Sequence, residues 1–302
     1  MEDFYISSVA DFLSVIKQLK KRYSDAVMFE NPTTVDFIYR GMENKEYELR
    51  PNIFREVKNN RISNGKYTAY SSELNILRQF VQEASVYTNE PIINNYGKWA
   101  ELAQHYGAPT RFLDWTSNPL VALYFACDSN STTDAVVWLC HRDNFYNVEA
   151  SKNNELFPNS KTNMELINDL IIKDGQKGKD MSALPKYPML YLPYYRDARM
   201  TAQGSYFMVW GTNHNSLEKM LTEKNYMTYD NSPENGIKIQ GQDAKEECMF
   251  KAHIKYLNKQ NIMRELDMMG INAKTLFPGL DGVGRYIERR YRFDYDEMVN
   301  NW

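Results

Sequence analysis

Cysteine is scarce in this 302-residue chain. Cys127, Cys140 and Cys248 share no CxxC spacing, and their odd number argues against a disulfide framework. Two of them sit in apolar runs, where a cysteine behaves as a small buried hydrophobe of a reducing compartment. Histidine is nearly as scarce: His105, His141, His214 and His253 lie far apart, and none pairs with a cysteine at zinc spacing. No metal site is therefore expected. Clustered glycine is missing as well. There is no GxxxxGK[ST] loop, no GxGxxG after a strand, no GxSxG elbow and no HExxH, which removes the common phosphate-loop, dinucleotide, serine-hydrolase and zinc-protease chemistries. No apolar run approaches the roughly 20 residues of a membrane span. The opening MEDFYISS has no apolar leader core, so the cytoplasm is the expected location. A net charge of −3 supplies no general attraction to nucleic acid or to an anionic membrane. The basic groups Lys17/Lys20/Lys21/Arg22 and Arg285/Arg289/Arg290/Arg292 read as solvated helix faces.

What is abundant is ordinary globular material, 43% hydrophobic and 25% charged, with many aromatics. Such a chain has enough apolar mass for one good-sized core. The 22 tyrosines fit a core and surface role at least as well as a stacking site for a planar ligand. Helical spacing marks an opening amphipathic helix from Val9, then helices at 74–84, 99–106, 120–126, 164–172, 261–269 and 280–291. Strand-like runs stand at 35–39, 112–116, 135–140, 206–210 and 249–256, the fourth of these from Tyr206 to Trp210. Strands and helices interleave without regular βαβ alternation. The expected class is α+β, with a mixed or antiparallel central sheet and flanking helices. Residues 1–34 form an N-terminal helical segment and 35–302 the main domain, with an irregular insertion or lid at about 143–196.

Two segments concentrate chemistry. In Phe37-Ile38-Tyr39-Arg40-Gly41 an apolar strand ends in Arg-Gly. The glycine would let the backbone turn or a ligand approach, and the guanidinium can clamp a phosphate or carboxylate. The same arginine would equally suit a structural salt bridge. The second segment is Gln104-His105-Tyr106-Gly107-Ala108-Pro109-Thr110-Arg111-Phe112-Leu113-Asp114-Trp115-Thr116-Ser117-Asn118-Pro119. Strand alternation puts Asp114 and Thr116 on one side and Trp115 on the other. Asn118-Pro119 then opens a helix, whose N-terminus favours an anion. Read from the residues alone, two roles stay open for Asp114 and Thr116, ligand contact or capping of that helix, and His105 also suits a satisfied core histidine.

A resemblance covers both segments. Tyr39-Arg40-Gly41, Leu49-x-Pro51 followed by Phe54-Arg55, the long Gln104–Thr116 motif and Ala122-x-x-Phe125-Ala126 together resemble the FRG domain family. Arg199-Met200-Thr201-Ala202-Gln203-Gly204 and Leu276-Phe277-Pro278-Gly279-Leu280-Asp281-Gly282 are similar to its later segments, which carries the likeness from about residue 35 to 290. More distantly, the chain resembles ADP-ribosyltransferases. These open with a strand ending in Arg or His, continue with a Ser-Thr-Ser strand and an Asn-Pro-x-x-Ala-x-x-Phe-Ala helix, and take a Glu or Gln from a later strand. Asp114-Trp115-Thr116 stands here in place of Ser-Thr-Ser, and no Glu-x-Glu stands at Gln203.

The second resemblance implies a split-sheet core, NAD as the substrate and cleavage of its nicotinamide–ribose bond with transfer of ADP-ribose to an unidentified macromolecular acceptor. Its residue-by-residue transfer makes Arg40, Thr116, Gln203, Asp114 and Glu247 the catalytic candidates, with Glu247 competing with Gln203 for the third element. Tyr39, Arg40, Gly41, His105, Arg111 and Ser117 become the nucleotide-binding candidates, His105 and Arg111 contacting phosphate or orienting the acceptor. Toxins and phage-defence effectors of this kind are among the settings it suggests. The alternative is a non-catalytic module that senses a nucleotide, since glutamine cannot take a proton as a carboxylate can. A nuclease or phosphodiesterase built on Arg40, His105 and Asp114 is the third reading.

Overall fold

The computed structural model describes residues 2–26, 36–55, 73–88, 95–129, 131–142, 161–174, 176, 179–193, 197–222 and 249–300. Its centre is a seven-stranded mixed sheet. In chain order the strands are β1 (Glu2–Ile6), β2 (Phe37–Met42), β3 (Phe112–Thr116), β4 (Ala135–His141), β5 (Met189–Tyr191), β6 (Ser205–Val209) and β7 (Met249–Ile254). Across the sheet they run β1-β7-β4-β2-β3-β6-β5. Every neighbouring pair is antiparallel except β1 with β7. The helices are α1 (Val9–Ala26), α2 (Glu73–Ala84), α3 (Tyr96–His105), α4 (Pro119–Cys127), α5 (Lys161–Asp174), α6 (Ala198–Gln203), α7 (Leu217–Thr222), α8 (Tyr256–Met268), α9 (Ala273–Leu276) and α10 (Leu280–Asn300). The mixed α/β class expected from the sequence is found.

Local chemistry explains the elements that frame the site. Every residue of β4, AVVWLCH, is buried, as an apolar β-rich run between two neighbours should be. Asn118 caps α4 by accepting from the Leu120 backbone N–H at 2.9 Å, and Pro119 takes the first turn, where no N–H is needed. That helix is apolar on nearly all sides and is correspondingly buried. Asp197 caps α6, accepting from Met200 N–H, and Gly204 ends it in the left-handed conformation.

Alternation along β2 divides two cores. Phe37 and Tyr39 face α1 and α4 with Val137, Leu139 and Phe250, whereas Ile38 and Met42 join Trp115, Trp138 and Met208 on the other face. A third cluster packs α2, α3 and α5 against Phe112, Tyr191 and Phe207 on the β3-β6-β5 half.

Several expectations change. The strand does not stop at Arg40-Gly41 but runs on to Met42. Residues 2–6, outside any predicted element, pair with β7, so the N-terminal segment is built into the sheet. Within the stretch read as an insertion or lid, α5 buries Met164, Ile167 and Ile171 beside α3, and β5 extends the sheet edge. Residues 143–160 of that stretch lie outside the described set. No helix among the described residues is long and apolar enough to cross a membrane.

Gly41 owes its identity to helix packing, not to a turn. A Cβ there would stand 1.8 Å from the Ala122 carbonyl oxygen and 2.6 Å from Ala126 N, both backbone atoms of α4. Gly41→Ala must push α4 off the sheet, and overpacking of this kind should cost roughly 3 kcal/mol in urea-unfolding measurements.

His141 makes stability pH-dependent. Its ring is 5% exposed and packs against Tyr23 and Phe37, and burial pushes its pKa down to about 4. In the unfolded chain it titrates near 6.5, so below that pH only the unfolded state takes up the proton. The stability held by the neutral ring is present above pH 6.5 and lost as the pH falls toward 4. About 2 kcal/mol should go between pH 7 and 5. Urea unfolding of His141→Gln at the two pH values should show a loss smaller by that amount.

Candidate functional site

The sheet comes apart at one place. β2 pairs with β4 over six positions, and β3 pairs with β6 over five. Between β2 and β3 only Tyr39 and Thr116 are partnered. Beyond that pair the strands separate, and a cleft of about 370 Å³ passes through the gap. Gly41, Ala122 and Phe125 line it from the α4 side, and Met42, Trp115 and Arg55 from the other. A second cavity, about 420 Å³, adjoins it and shares Gln104, His105, Asp114 and Arg199.

Arg40 spans the split. Its Nη1 donates to the Asp114 carbonyl oxygen at 2.5 Å, giving a partner to a backbone acceptor that the diverging ladder leaves open. Its Nε is buried and has no hydrogen-bond partner among the described residues. Burial pushes the guanidinium down to about 10, with the charge of Arg55 acting the same way and Asp114 opposing. It still carries its charge at neutral pH. With Arg55 and Arg199 it makes three guanidiniums on the cleft, against the carboxylates of Glu43 and Asp114. A buried, charged donor without a partner is costly in a finished structure and favours an anion when one arrives.

The long central motif holds this geometry. Asp114 is exposed, and both its carboxylate oxygens accept from Gln104 Nε2, at 3.1 and 3.0 Å. Gln104 Oε1 in turn accepts from Thr110 Oγ1 at 2.5 Å. Thr116, 6% exposed, donates to the Gln203 carbonyl at 2.5 Å and accepts from Asn118 N–H at 3.0 Å. Gln203 Nε2 reaches the Leu276 carbonyl at 3.0 Å. His105 Nε2 lies 2.5 Å from Asp197 Oδ2.

Residues 35–135 match the family model of the FRG domain. The chain contains an FRG domain. The matched span is shorter than the sequence likeness, which ran to about 290. It includes β2, α3, β3 and α4, hence Arg40, His105, Asp114 and Thr116, while Gln203 and Arg199 close the cleft from outside it. No curated protein and no solved structure matches the chain. The FRG signature resolves into three separate tasks. Tyr39 packs edge-on against Phe12 and is 2% exposed, Arg40 bridges the split, and Gly41 admits α4.

Arg40, Gly41, Asp114, Thr116, His105 and Gln203 are brought together on the cleft, and Tyr39 lines its floor. Arg111 is not. It is fully buried, with Nε to Glu73 at 2.6 Å, Nη2 to Asp174 at 3.0 Å and Nη1 to the Trp210 carbonyl at 3.2 Å. Its charge is neutralised in the core and is out of reach of phosphate. Ser117 also leaves the cleft wall: its N–H donates to the Gly204 carbonyl at 2.9 Å and latches the α6–β6 turn. Glu247 lies outside the described residues. Sequence reasoning passed over Glu43 and Asp197, which carry no signal beyond a polar loop and a helix cap. Among the described residues no group of three or more His, Cys, Asp or Glu side chains is placed to hold a metal.

Glu73→Ala would leave the Arg111 charge buried with half its anchoring removed. A broken buried pair typically costs about 3–5 kcal/mol. Thermal or urea unfolding should register that loss, whereas Glu48→Ala, whose partner pair with Arg50 is solvent-exposed on the acid side, should change stability by less than about 1 kcal/mol.

Proposed function

We propose that the split-sheet cleft binds NAD and that the chain cleaves its nicotinamide–ribose bond, passing ADP-ribose to an acceptor. The observation that carries this reading is Arg40: a guanidinium at the fork of two strands, one donor fixed and its Nε buried without a partner. Cleft volume supports it, since sites for ligands of this kind run from roughly 300 Å³ upward. So does the surplus of guanidinium over carboxylate, which suits a pyrophosphate. In this reading Arg40 and Arg55 hold the phosphates, and the freed backbone edge of β2 at Gly41 faces the nicotinamide amide. Bond cleavage builds positive charge on the ribose, and catalysis requires a group that favours that charge over the ground state. Asp114, kept in place by Gln104, is the carboxylate that would oppose it.

Gln203 holds the cleft wall through two groups. Its side-chain Nε2 donates to the Leu276 carbonyl and its backbone carbonyl accepts from Thr116, and a carboxamide takes no proton. This favours, as the second reading, a module that binds the nucleotide and does not turn it over.

Titration calorimetry with NAD should show binding to the wild type, weakened roughly 10- to 100-fold in Arg40→Ala, the value of one or two hydrogen bonds to a charged group. Unchanged affinity in that variant would remove Arg40 from the site. Labelled NAD separates the two readings: free nicotinamide or transferred label marks the enzyme, and binding without either marks the sensor.

A further inference from the structure

His105 stands where the two cavities meet, lining both. Its Nε2 is held by the Asp197 carboxylate at 2.5 Å, and the side chain is about one-fifth exposed. Asp197 is itself fixed, since the same carboxylate caps α6 through Met200 N–H at 2.9 Å. With Nε2 engaged, the imidazole has one ring nitrogen left, Nδ1, and that nitrogen has no hydrogen-bond partner among the described residues. A carboxylate on one nitrogen fixes the tautomer in which the other is a lone-pair acceptor, the arrangement of a positioned general base. The second cavity is polar and open. It is walled by Asn52, Gln104, Asp114, Arg199 and the ring of Tyr106, which is 72% exposed and meets His105 edge-on.

We infer that the second cavity is the acceptor subsite and that His105, oriented by Asp197, is the general base for a hydroxyl acceptor. The inference rests on the NAD reading of the first cleft and names the acceptor chemistry at the same site. The acceptor O–H gives its proton to His105 Nδ1 as its oxygen bonds to the ribose C1′. The C1′–N bond breaks, and its electron pair returns to the nicotinamide ring, which leaves neutral. His105 then returns the proton to solvent. Water serves as the smallest member of this acceptor class, an alcohol as the next.

The test uses the full chain, NAD, and either water alone or added methanol as the acceptor, following nicotinamide release and formation of the O-methyl ADP-riboside. His105→Ala should lower turnover at least 100-fold, the usual contribution of a positioned base, with NAD affinity by calorimetry within threefold of the wild type. Added imidazole should restore part of the rate, which a merely structural histidine would not allow. Asp197→Asn keeps the helix cap but removes the charge, and should lower kcat with KM unchanged. Wild-type turnover in His105→Ala, or a deficit that imidazole leaves untouched, overturns the inference while the NAD reading stands. Binding without any turnover in the wild type overturns the base role and leaves the sensor. Failure of the wild type to bind NAD removes the first reading, and this one with it.

Discussion

One hydrogen bond accounts for much of the site: Arg40 reaching across the split sheet to the Asp114 carbonyl. Adjacent antiparallel strands normally satisfy each other's backbone groups along their whole length. Here β2 and β3 do so at a single pair, Tyr39 with Thr116. A gap in a sheet interior exposes backbone groups that neither strand can satisfy alone. A long side chain with several donors is one of few devices that can bridge such a gap without closing it. Lysine could reach the carbonyl, but only a guanidinium brings further donors in a fixed planar fork.

The gap has to be held open from both flanks, and the flanks explain the motifs around it. On the β2 side, α4 lies so close that no side chain fits between Gly41 and the backbone of Ala122. The helix fixes the strand, and its small residues allow the approach. On the β3 side, Thr116 and Ser117 tie the strand's end to Gln203 and Gly204, while Gln203 ties that turn to Leu276. The Leu-Phe-Pro-Gly-Leu-Asp-Gly segment enters the same way. Its Phe277 ring carries the guanidiniums of Arg199 and Arg285 at 4.9 and 4.8 Å, and Gly282 lets α10 pass the Phe277 carbonyl. Residues more than 70 positions apart thus act on one wall.

That distance in sequence explains which features could be read early. Periodicity found most helices and the central strand, because 3.6-residue and two-residue patterns are local. Asn118-Pro119 announced the start of its helix for the same reason. The edge strands β1 and β5 escaped. β5 has only three residues, and neither EDFYI nor MLY carries an alternation clear enough to distinguish a strand from a loop. Gly41 was misread because a glycine after a strand suggests a turn, and only the packed helix shows that the missing side chain makes room for another backbone. Asp197 was invisible as a functional residue, since a capping aspartate and an imidazole-orienting aspartate look identical in one dimension.

The two arginines of the central region show where sequence reasoning stops and accounting of donors begins. Arg40 stands inside β2 and Arg111 just before β3; both lie within family motifs, and both were candidates for phosphate. Arg111 has every branch of its guanidinium engaged, with two carboxylates and a carbonyl around it and no access to solvent. Its charge is neutralised by Glu73 and Asp174, so an added anion would gain little and would have to break the core to arrive. Arg40 has one carbonyl and a nearby carboxylate, lines a cavity, and keeps a buried Nε with no hydrogen-bond partner among the described residues. Five donors in a fixed fork make arginine equally good at closing a core and at opening a site. The number of those donors already satisfied decides between the two roles, and that number is a property of the folded chain.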